Sequence, residues 1–436
     1  MKTSTILKAL ALSATIVMAS TAMFAGNPKS RMDRSRLNIG TYTLKPYACS
    51  ESHIKDLKDC GIDFVVCFQD DKEALDLFSK YGVGAIVTGV LPGWWGGDGD
   101  RAGQLEKINP LSAYVKAAKS FKDHPAVWGV DIGDEPSALD FPYYGKVFKK
   151  VDKLFPNQFP YLNLYPNYAS VSQNTGEQTV NQLGTPTYDE HIEEYVKNVD
   201  SDYICYDFYV YSSNVPKAYQ NLITVANACR KTDRSMWIVL QVNSHVPDKW
   251  ISLDQLRFQA WTSMAFGVEN ITWACYTAGW WNNQVVDENG QKTQQYPKLK
   301  QMNSEIRALA DIYMKYKTTT SSFVGFNGTS WLENVPAENL AELNDGVFSG
   351  VRFTDGTPMV AGSMVARKKN GGNALFLTSA DDPYGETNKT HMLKFKADGK
   401  KVTINTITGT VDIEPDQDGW YSFMMTSNSA VLIEAK

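Results

Sequence analysis

Two adjacent carboxylates at the end of an apolar run are the first chemistry this chain offers. Residues 127–136 read V-W-G-V-D-I-G-D-E-P, a short strand pattern that stops at Asp134-Glu135 and is closed by Pro136. Alternation sends Trp128, Val130 and Ile132 to one face and Gly129, Asp131, Gly133 and Glu135 to the other. An apolar face backed by a small-and-acidic face describes a strand that packs on helices outside and lines a site inside. Paired carboxyls in such a place suit acid–base work, because burial and like-charge repulsion keep one of them protonated near neutrality. The same residues also describe an ordinary solvated turn, so the elements that carry them have to be read next.

Those elements repeat. Strand-like stretches fall at 37–43, 64–69, 85–90, 127–133, 161–165, 203–209, 237–243 and 271–276. Amphipathic helical runs fall at 50–58, 72–80, 111–122, 143–154, 188–199, 217–230, 253–266 and 297–316. Eight strand-then-helix units predict an α/β fold, a (β/α)8 TIM barrel over residues 26–317. Catalytic residues of that fold sit at the C-terminal ends of strands, which is where Glu135 falls. An open doubly wound sheet would want a glycine-rich phosphate loop after its first strand, and Thr41-Tyr42-Thr43-Leu44-Lys45-Pro46 is not one. From about residue 318 the texture changes to short alternating runs at 347–353, 359–367, 374–378, 391–396, 401–407 and 429–433. Asn-Asp-Gly, Thr-Asp-Gly, Asn-Gly-Gly and Ala-Asp-Gly turns separate them, which predicts an antiparallel β-sandwich over residues 318–436 in an accessory role. With no low-complexity linker between them, the two domains are expected to pack together.

The parity used for strand four supplies the other residues expected at the barrel mouth. Strand five gives Asn163 and Tyr165, strand six Asp207 and Tyr209, and strand seven Gln241 and Asn243. Tyr42 ends strand one, the loop after strand three carries Trp94 and Trp95, and strand eight runs on through Tyr276 to Trp280 and Trp281. Carboxylates, amides and phenols among indoles suit a polyhydroxylated ligand: carboxylates accept from hydroxyls, amides donate and accept, and rings cover C–H faces. The five histidines (His53, His124, His191, His245, His391) are scattered and match no ligand pair, so no metal is expected. His245, just past strand seven, is the one placed to reach the mouth, in a positioning role. No EF-hand-like spacing marks calcium near Asp98 and Asp100 or in the β-rich domain, and no cofactor is expected. The chain has no G-x-S-x-G and no Ser-His-Asp ordering.

Composition narrows the partners. A net charge of −5 without a long basic or acidic run excludes nucleic acid and anionic membrane surfaces. The 436 residues are 43% hydrophobic, enough for one large domain and a smaller one, and the 11 Trp and 22 Tyr exceed what a core alone requires. Residues 1–25 read as an export signal: Lys2 and Lys8, an apolar run over 9–19, and cleavage after Ala22 or Ala25. The apolar run is shorter than the ~20 residues of a membrane span. No Cys lies near the cleavage point, so no lipid anchor is expected, and the mature protein is predicted to be secreted or periplasmic. The sequence does not specify an oligomeric state. Its cysteines (Cys49, Cys60, Cys67, Cys205, Cys229, Cys275) match neither a zinc site nor a dense disulfide framework, with Cys49 and Cys60 the one pair open to bridging.

On these residues the chain resembles the TIM-barrel glycoside hydrolases of the large clan that places its acid/base on strand four. Within it, the chain looks like the secreted gut-bacterial members with a G-D-E-P motif and a C-terminal β-sandwich. The similarity covers nearly the whole mature chain. It is carried by residues 124–136 (H-P-A-V-W-G-V-D-I-G-D-E-P), then by Leu240-Gln241 and by Trp261, Gly267 and Ile271. The resemblance implies hydrolysis of a glycosidic bond in an oligo- or polysaccharide, with Glu135 as general acid/base. Asp134 stands where many clan members place an Asn that binds the substrate's 2-hydroxyl. Asp131, Asp134 and Asp207 are then expected to raise the Glu135 pKa by like-charge repulsion, with Asp131 otherwise structural.

The chain departs from the pattern on strand seven. A retaining enzyme of that clan carries a nucleophilic Glu where this chain has Gln241, and three readings stay open. Asp207 supplies the second carboxylate, its distance from Glu135 deciding retention (about 5–5.5 Å) or inversion (roughly 6.5–9.5 Å). Alternatively the substrate's own N-acetyl group attacks, as in N-acetylhexosaminidase-type families with an Asp-Glu pair on strand four and, in some, Tyr-Asp on strand six, as Tyr206-Asp207 would be. In the third reading the scaffold binds sugar without cleaving it. A polysaccharide lyase would want an Arg or Lys clamp on a uronate, and these strand ends carry almost no Arg.

Overall fold

The computed structural model describes residues 31–69, 71–96, 101–169, 182–326, 339–340, 342–385, 388–399 and 401–436. The export signal read at 1–25 and the acids Asp98 and Asp100 lie outside them. Eight parallel strands form one sheet: β1 (Asn38–Tyr42), β2 (Phe64–Gln69), β3 (Gly84–Thr88), β4 (Val127–Asp134), β5 (Phe159–Asn163), β6 (Tyr203–Phe208), β7 (Ser235–Gln241) and β8 (Val268–Ala274). Their order, β5-β4-β3-β2-β1-β8-β7-β6, leaves β5 and β6 as the two ends of the ribbon. These ends meet through one bridge, Leu164 to Tyr206, where the Leu164 N–H donates to the Cys205 carbonyl at 2.9 Å. A side chain completes the seam. The Tyr203 hydroxyl accepts from the Leu162 N–H (3.0 Å) and donates to the Pro160 carbonyl (2.8 Å). Pro160 has no N–H to give to a ladder, so the phenol stands in for strand pairing where the backbone lacks a donor.

Helices α1 (Glu51–Asp59), α2 (Lys72–Tyr81), α3 (Leu105–Ile108), α4 (Leu111–Ala118) and α5 (Phe141–Leu154) cover one half of the barrel. The other half is covered by α6 (Tyr188–Asn198), α7 (Val215–Thr232), α8 (Leu253–Ala265) and α9 (Gln295–Tyr313). Side-chain caps fix several of their starts: Ser50 on α1, Asp71 on α2, Asn214 on α7, and full capping boxes from Thr187 to Glu190 on α6 and Ser252 to Gln255 on α8. Outward strand residues such as Val130, Ile132, Leu162, Ile204, Tyr206 and Ile238 join the core between barrel and helices. Inward ones such as Phe64, Val66, Ile86, Phe159, Tyr203, Trp237 and Val239 fill the barrel itself. Among the described residues no helix is long and apolar enough to cross a membrane, and all six cysteines are free.

The C-terminal strands are β9 (Tyr316–Val324), β10 (Phe348–Phe353), β11 (Met359–Ala366), β12 (Asn373–Ser379), β13 (Thr390–Ala397), β14 (Val402–Thr406), β15 (Gly409–Ile413), β16 (Tyr421–Thr426) and β17 (Ala430–Ala435). They form a six-stranded sheet, β15-β14-β17-β12-β11-β9, packed on a three-stranded one, β10-β13-β16. The molecule is therefore a TIM barrel followed by an antiparallel β-sandwich. The central strands of the larger sheet are buried on both faces. Leu375, Leu377, Val431 and Ile433 meet the smaller sheet, while Val360, Ala374, Phe376 and Leu432 join the core of the barrel's helix layer.

Candidate active site

Two irregularities in β4 decide what faces the barrel mouth. Against β3, Ala85 pairs with Val127 and Ile86 with Gly129, so Trp128 is an extra residue. Its ring lies inside the barrel, tilted on Phe64 at 6.4 Å and over Gly84, where a Cβ would collide with it. This corrects the expectation that Trp128 faces the helices. Against β5, Asp131 pairs with Tyr161 and Gly133 with Leu162, so Ile132 is a second bulge. Gly133 is thereby turned toward the helix layer, where a Cβ would strike the Tyr144 hydroxyl. Asp134, not Gly133, comes inward opposite Asn163.

Glu135 follows the bulge with φ +46°, a left-handed conformation that non-glycine residues seldom adopt. Its N–H donates to the Asn163 carbonyl at 2.9 Å. Its carboxyl accepts from the Trp95 indole N–H at 3.0 Å. Trp95 is held in place by main chain: the Asp134 N–H donates to the Trp94 carbonyl (2.8 Å) and the Gly96 N–H to the Asp134 carbonyl (3.2 Å). The loop after β3 thus runs as a short parallel extension beside the acids.

Below Glu135 sits a bridged pair of acids. The Asn163 Nδ2 donates to Asp134 Oδ1 at 3.2 Å and to Asp207 Oδ1 at 2.7 Å, which leaves the two carboxyls no more than about 6 Å apart. The Cys205 thiol donates to the Asn163 Oδ1 (3.4 Å), and the Tyr168 hydroxyl also bonds Asp207. Burial raises the pKa of both acids, and the charge of Asp134 raises Asp207 further. Like charges so placed share a proton near neutrality, so the pair titrates as a unit. One layer deeper, Asp131 accepts from the Thr88 hydroxyl and the Gly133 N–H, each at 3.0 Å. Burial, with Asp134 adding to it, pushes Asp131 up to about 7.

Rings wall the opening. The Tyr42 and Tyr161 hydroxyls meet at 2.8 Å inside the barrel, and Tyr42 stands edge-on to Trp280 at 5.8 Å. Tyr209 packs edge-on to Trp281 at 4.3 Å and tilted to Trp280 at 6.2 Å. Trp95 and Trp280 remain 45% and 49% exposed, so each presents ring surface to a ligand.

Five residues expected to meet a ligand at the mouth do not: three turn away from it and two have their amides occupied. Trp94 is buried in the helix-layer core with the Arg101 guanidinium over its ring at 4.7 Å, so only one indole of that pair is open. Tyr165 turns out toward His191 at 6.4 Å, because β5 ends at Asn163 and alternation stops where Leu164 bridges to β6. Gln241 faces inward, yet its amide is consumed: Oε1 accepts from the Tyr211 N–H (2.9 Å), and Nε2 donates to the Ser212 hydroxyl (3.1 Å) and the Asn243 carbonyl (2.9 Å). Asn243 clamps Cys275, donating to its carbonyl at 2.7 Å and accepting its N–H. Tyr276 is buried on the helix side near Cys60 and Tyr296. His245 is exposed, its Nδ1 3.2 Å from the Ser212 hydroxyl.

Two residues at the site escaped the sequence reading. Tyr161 lies two positions before Asn163 on one strand, so its inward face was readable. Tyr168 lies past Pro166 in a loop, with no periodicity to place it; its phenol nonetheless stands by both Asp207 and Glu135. Among the described residues, no group of three or more His, Cys, Asp or Glu is placed to hold a metal ion.

No family model and no curated protein matches this sequence. Among solved structures the chain is similar to an endo-1,4-β-mannanase from Rhizomucor miehei, at 11% identity over 61% of this chain and 95% of that one, with a TM-score of 0.44. It is also similar to an endoglucanase from Pseudomonas stutzeri, at 13% identity over 61% and 94%, with a TM-score of 0.41. A β-galacturonidase from Eisenbergiella tayi matches at 12% identity over 62% of this chain and 50% of that one, with a TM-score of 0.44.

Proposed function

We propose that this chain is an exported glycoside hydrolase that cleaves a glycosidic bond in an oligo- or polysaccharide, with Glu135 as the general acid. The placement of Glu135 carries the reading. It is a left-handed residue at the rim of a barrel, its carboxyl held by an indole, above a bridged acid pair and beside open rings. Strain of this kind persists where one carboxyl geometry has to be kept. An indole N–H only donates, so Oε2 is an acceptor and the transferable proton falls to Oε1. That proton goes to the glycosidic oxygen as the bond breaks, and a water molecule completes the hydrolysis by giving its hydroxyl to the anomeric carbon and its proton back to a carboxylate. The negative charge shared by Asp134 and Asp207 favours the positive charge that develops at the anomeric carbon.

One observation favours a substrate-assisted variant. Asp207 is 3% exposed and bonded to Tyr168 as well as to the Asn163 amide it shares with Asp134, while Asp134 is half-buried. The carboxyl a sugar reaches is then Asp134, next to the acid, where it accepts an acetamido N–H and orients that group's oxygen for attack. Hydrolysis of 2-acetamido glycosides with retained anomer, and none of the 2-hydroxy analogues, selects this variant by NMR of the products.

Glu135→Gln tests the parent reading. Turnover on the glycan that the wild-type protein cleaves should fall by about 10²–10⁴-fold while binding persists; undiminished turnover sinks the assignment. Binding of glycans by a wild-type protein that cleaves none of a broad panel would favour a carbohydrate-binding protein on the same scaffold.

A further inference from the structure

We infer that the β-sandwich supplies an outlying sugar-binding position for the barrel site, with Tyr384 as its platform. This rests on the reading of the barrel mouth as a glycan site. Tyr384 lies in the turn between β12 and β13 and is 63% exposed. Its ring stands edge-on to Tyr211 of the barrel at 5.5 Å and 85°. Tyr211 belongs to the short helical turn Val210–Ser212 that leaves β6, two residues past Tyr209 of the aromatic wall. Topology therefore puts the contact on the rim that carries Glu135, since both leave C-terminal ends of barrel strands.

Both partners are held firmly. The Tyr211 N–H is bonded by Gln241, and its hydroxyl donates at 2.7 Å to the Gln255 carbonyl in the first turn of α8. On the sandwich side, Asp381 bonds the buried His391 Nε2 at 3.0 Å, and the His391 Nδ1 lies 2.7 Å from Asp355. The Ala380 N–H donates to the Pro358 carbonyl (2.8 Å), and the Tyr384 N–H returns to the Asp382 carboxylate (2.9 Å). A large ring left open on a turn fastened this way adds little to folding. Scattered exposed apolar residues are ordinary, but Val365, Val411 and Met424 lie on the sandwich's own strands, whereas Tyr384 packs on Tyr211 of the barrel. Tyr211 packs against the helix-layer core beside Tyr384, two residues past Tyr209, which itself meets Trp280 and Trp281 at the mouth. Ser212 and His245 on the same edge offer hydroxyl and imidazole to a sugar's hydroxyls. The fitting ligand is a pyranose ring remote from the scissile bond of a longer glycan.

The test compares wild-type protein, Tyr384→Ala and Tyr384→Trp on cello-, manno- and chito-oligosaccharide ladders from disaccharide to hexasaccharide. Tyr384→Ala should lower kcat/KM by about 3- to 10-fold on the longest substrate cleaved, through KM, with a smaller change on the shortest, and Tyr384→Trp should restore it. Equal thermal melts confirm that all three fold alike. A length profile unchanged by Tyr384→Ala, or lowered equally at every length, overturns this inference and leaves the barrel reading standing. If wild type cleaves no ladder and Glu135→Gln protein binds none by NMR titration, the glycan reading falls and this inference with it.

Discussion

Trp95 and Glu135 are joined by a single hydrogen bond, and that bond separates two roles for the indole. Trp95→Phe keeps a ring over the mouth and deletes the N–H. If the bond orients the acid, kcat should fall by up to roughly tenfold, the size of one hydrogen bond to a neutral carboxyl, with KM changed less. A rise in KM alone would mean that the ring serves only as a platform. Asp131 makes a different claim, about stability. Its pKa rises from 3.8 to about 7 in the folded chain, so the native state holds the proton more tightly than the unfolded one. The associated stability is fully present below the unfolded value and is lost as pH climbs through the folded one. Asp131→Asn cannot ionise, and its amide still accepts from Gly133 and donates to Thr88. Wild type should therefore lose stability relative to this variant between pH 5 and pH 8, by about 2–3 kcal/mol. Calorimetry at both ends of that range reads the difference, and parallel curves would reject it.

Strand by strand, the chain was legible where pairing is regular and illegible where it is not. On β6 simple alternation places Ile204, Tyr206 and Phe208 in the helix layer and Asp207 inside, and the folded strand follows it. On β4 the faces depend on two bulges, and a bulge is set by register against β3 and β5, which no local pattern encodes. Gln241 shows a further limit: its inward face was readable, but the backbone of residues 211 and 243 that saturates its amide was not. In the sandwich, β9, β15 and β16 fall outside the runs read from the sequence, and β15, although Val411 and Ile413 alternate with polar residues, is nearly all exposed. Strand five begins at Phe159, two residues before the start read from the sequence, and runs through Pro160. The seam it creates can be tested. Tyr203→Phe removes the hydroxyl that links Leu162 to Pro160 and leaves a buried N–H without its acceptor. It should lower stability by about 1–3 kcal/mol in urea unfolding and speed amide exchange at Leu162. An unchanged midpoint would mean that Leu164 alone holds β5 to β6.

At the scale of the whole molecule, the shared core makes a prediction that neither domain makes alone. Phe376 projects from the middle of the six-stranded sheet into the barrel's helix layer, its ring 6.3 Å from Trp261 and 5.5 Å from Tyr313. Beside it, Gly362 brings the sheet so close that a Cβ would strike the Ala265 carbonyl at the end of α8. Apolar surface buried this way is removed from water only while both domains are folded, so each holds the other's exposed face closed. Wild-type protein should then unfold in one calorimetric transition despite its two architectures. Phe376→Ala opens a cavity at the seam and should destabilise that transition by about 3–5 kcal/mol. Both the parallel barrel and the sandwich should move together, monitored by far-ultraviolet circular dichroism and by tryptophan fluorescence, since the indoles lie mostly in the barrel. Two separated transitions, with the barrel signal unmoved, would show that the sandwich is an independent module. The proposal that it carries a sugar platform would then need a different anchor from the one this packing provides.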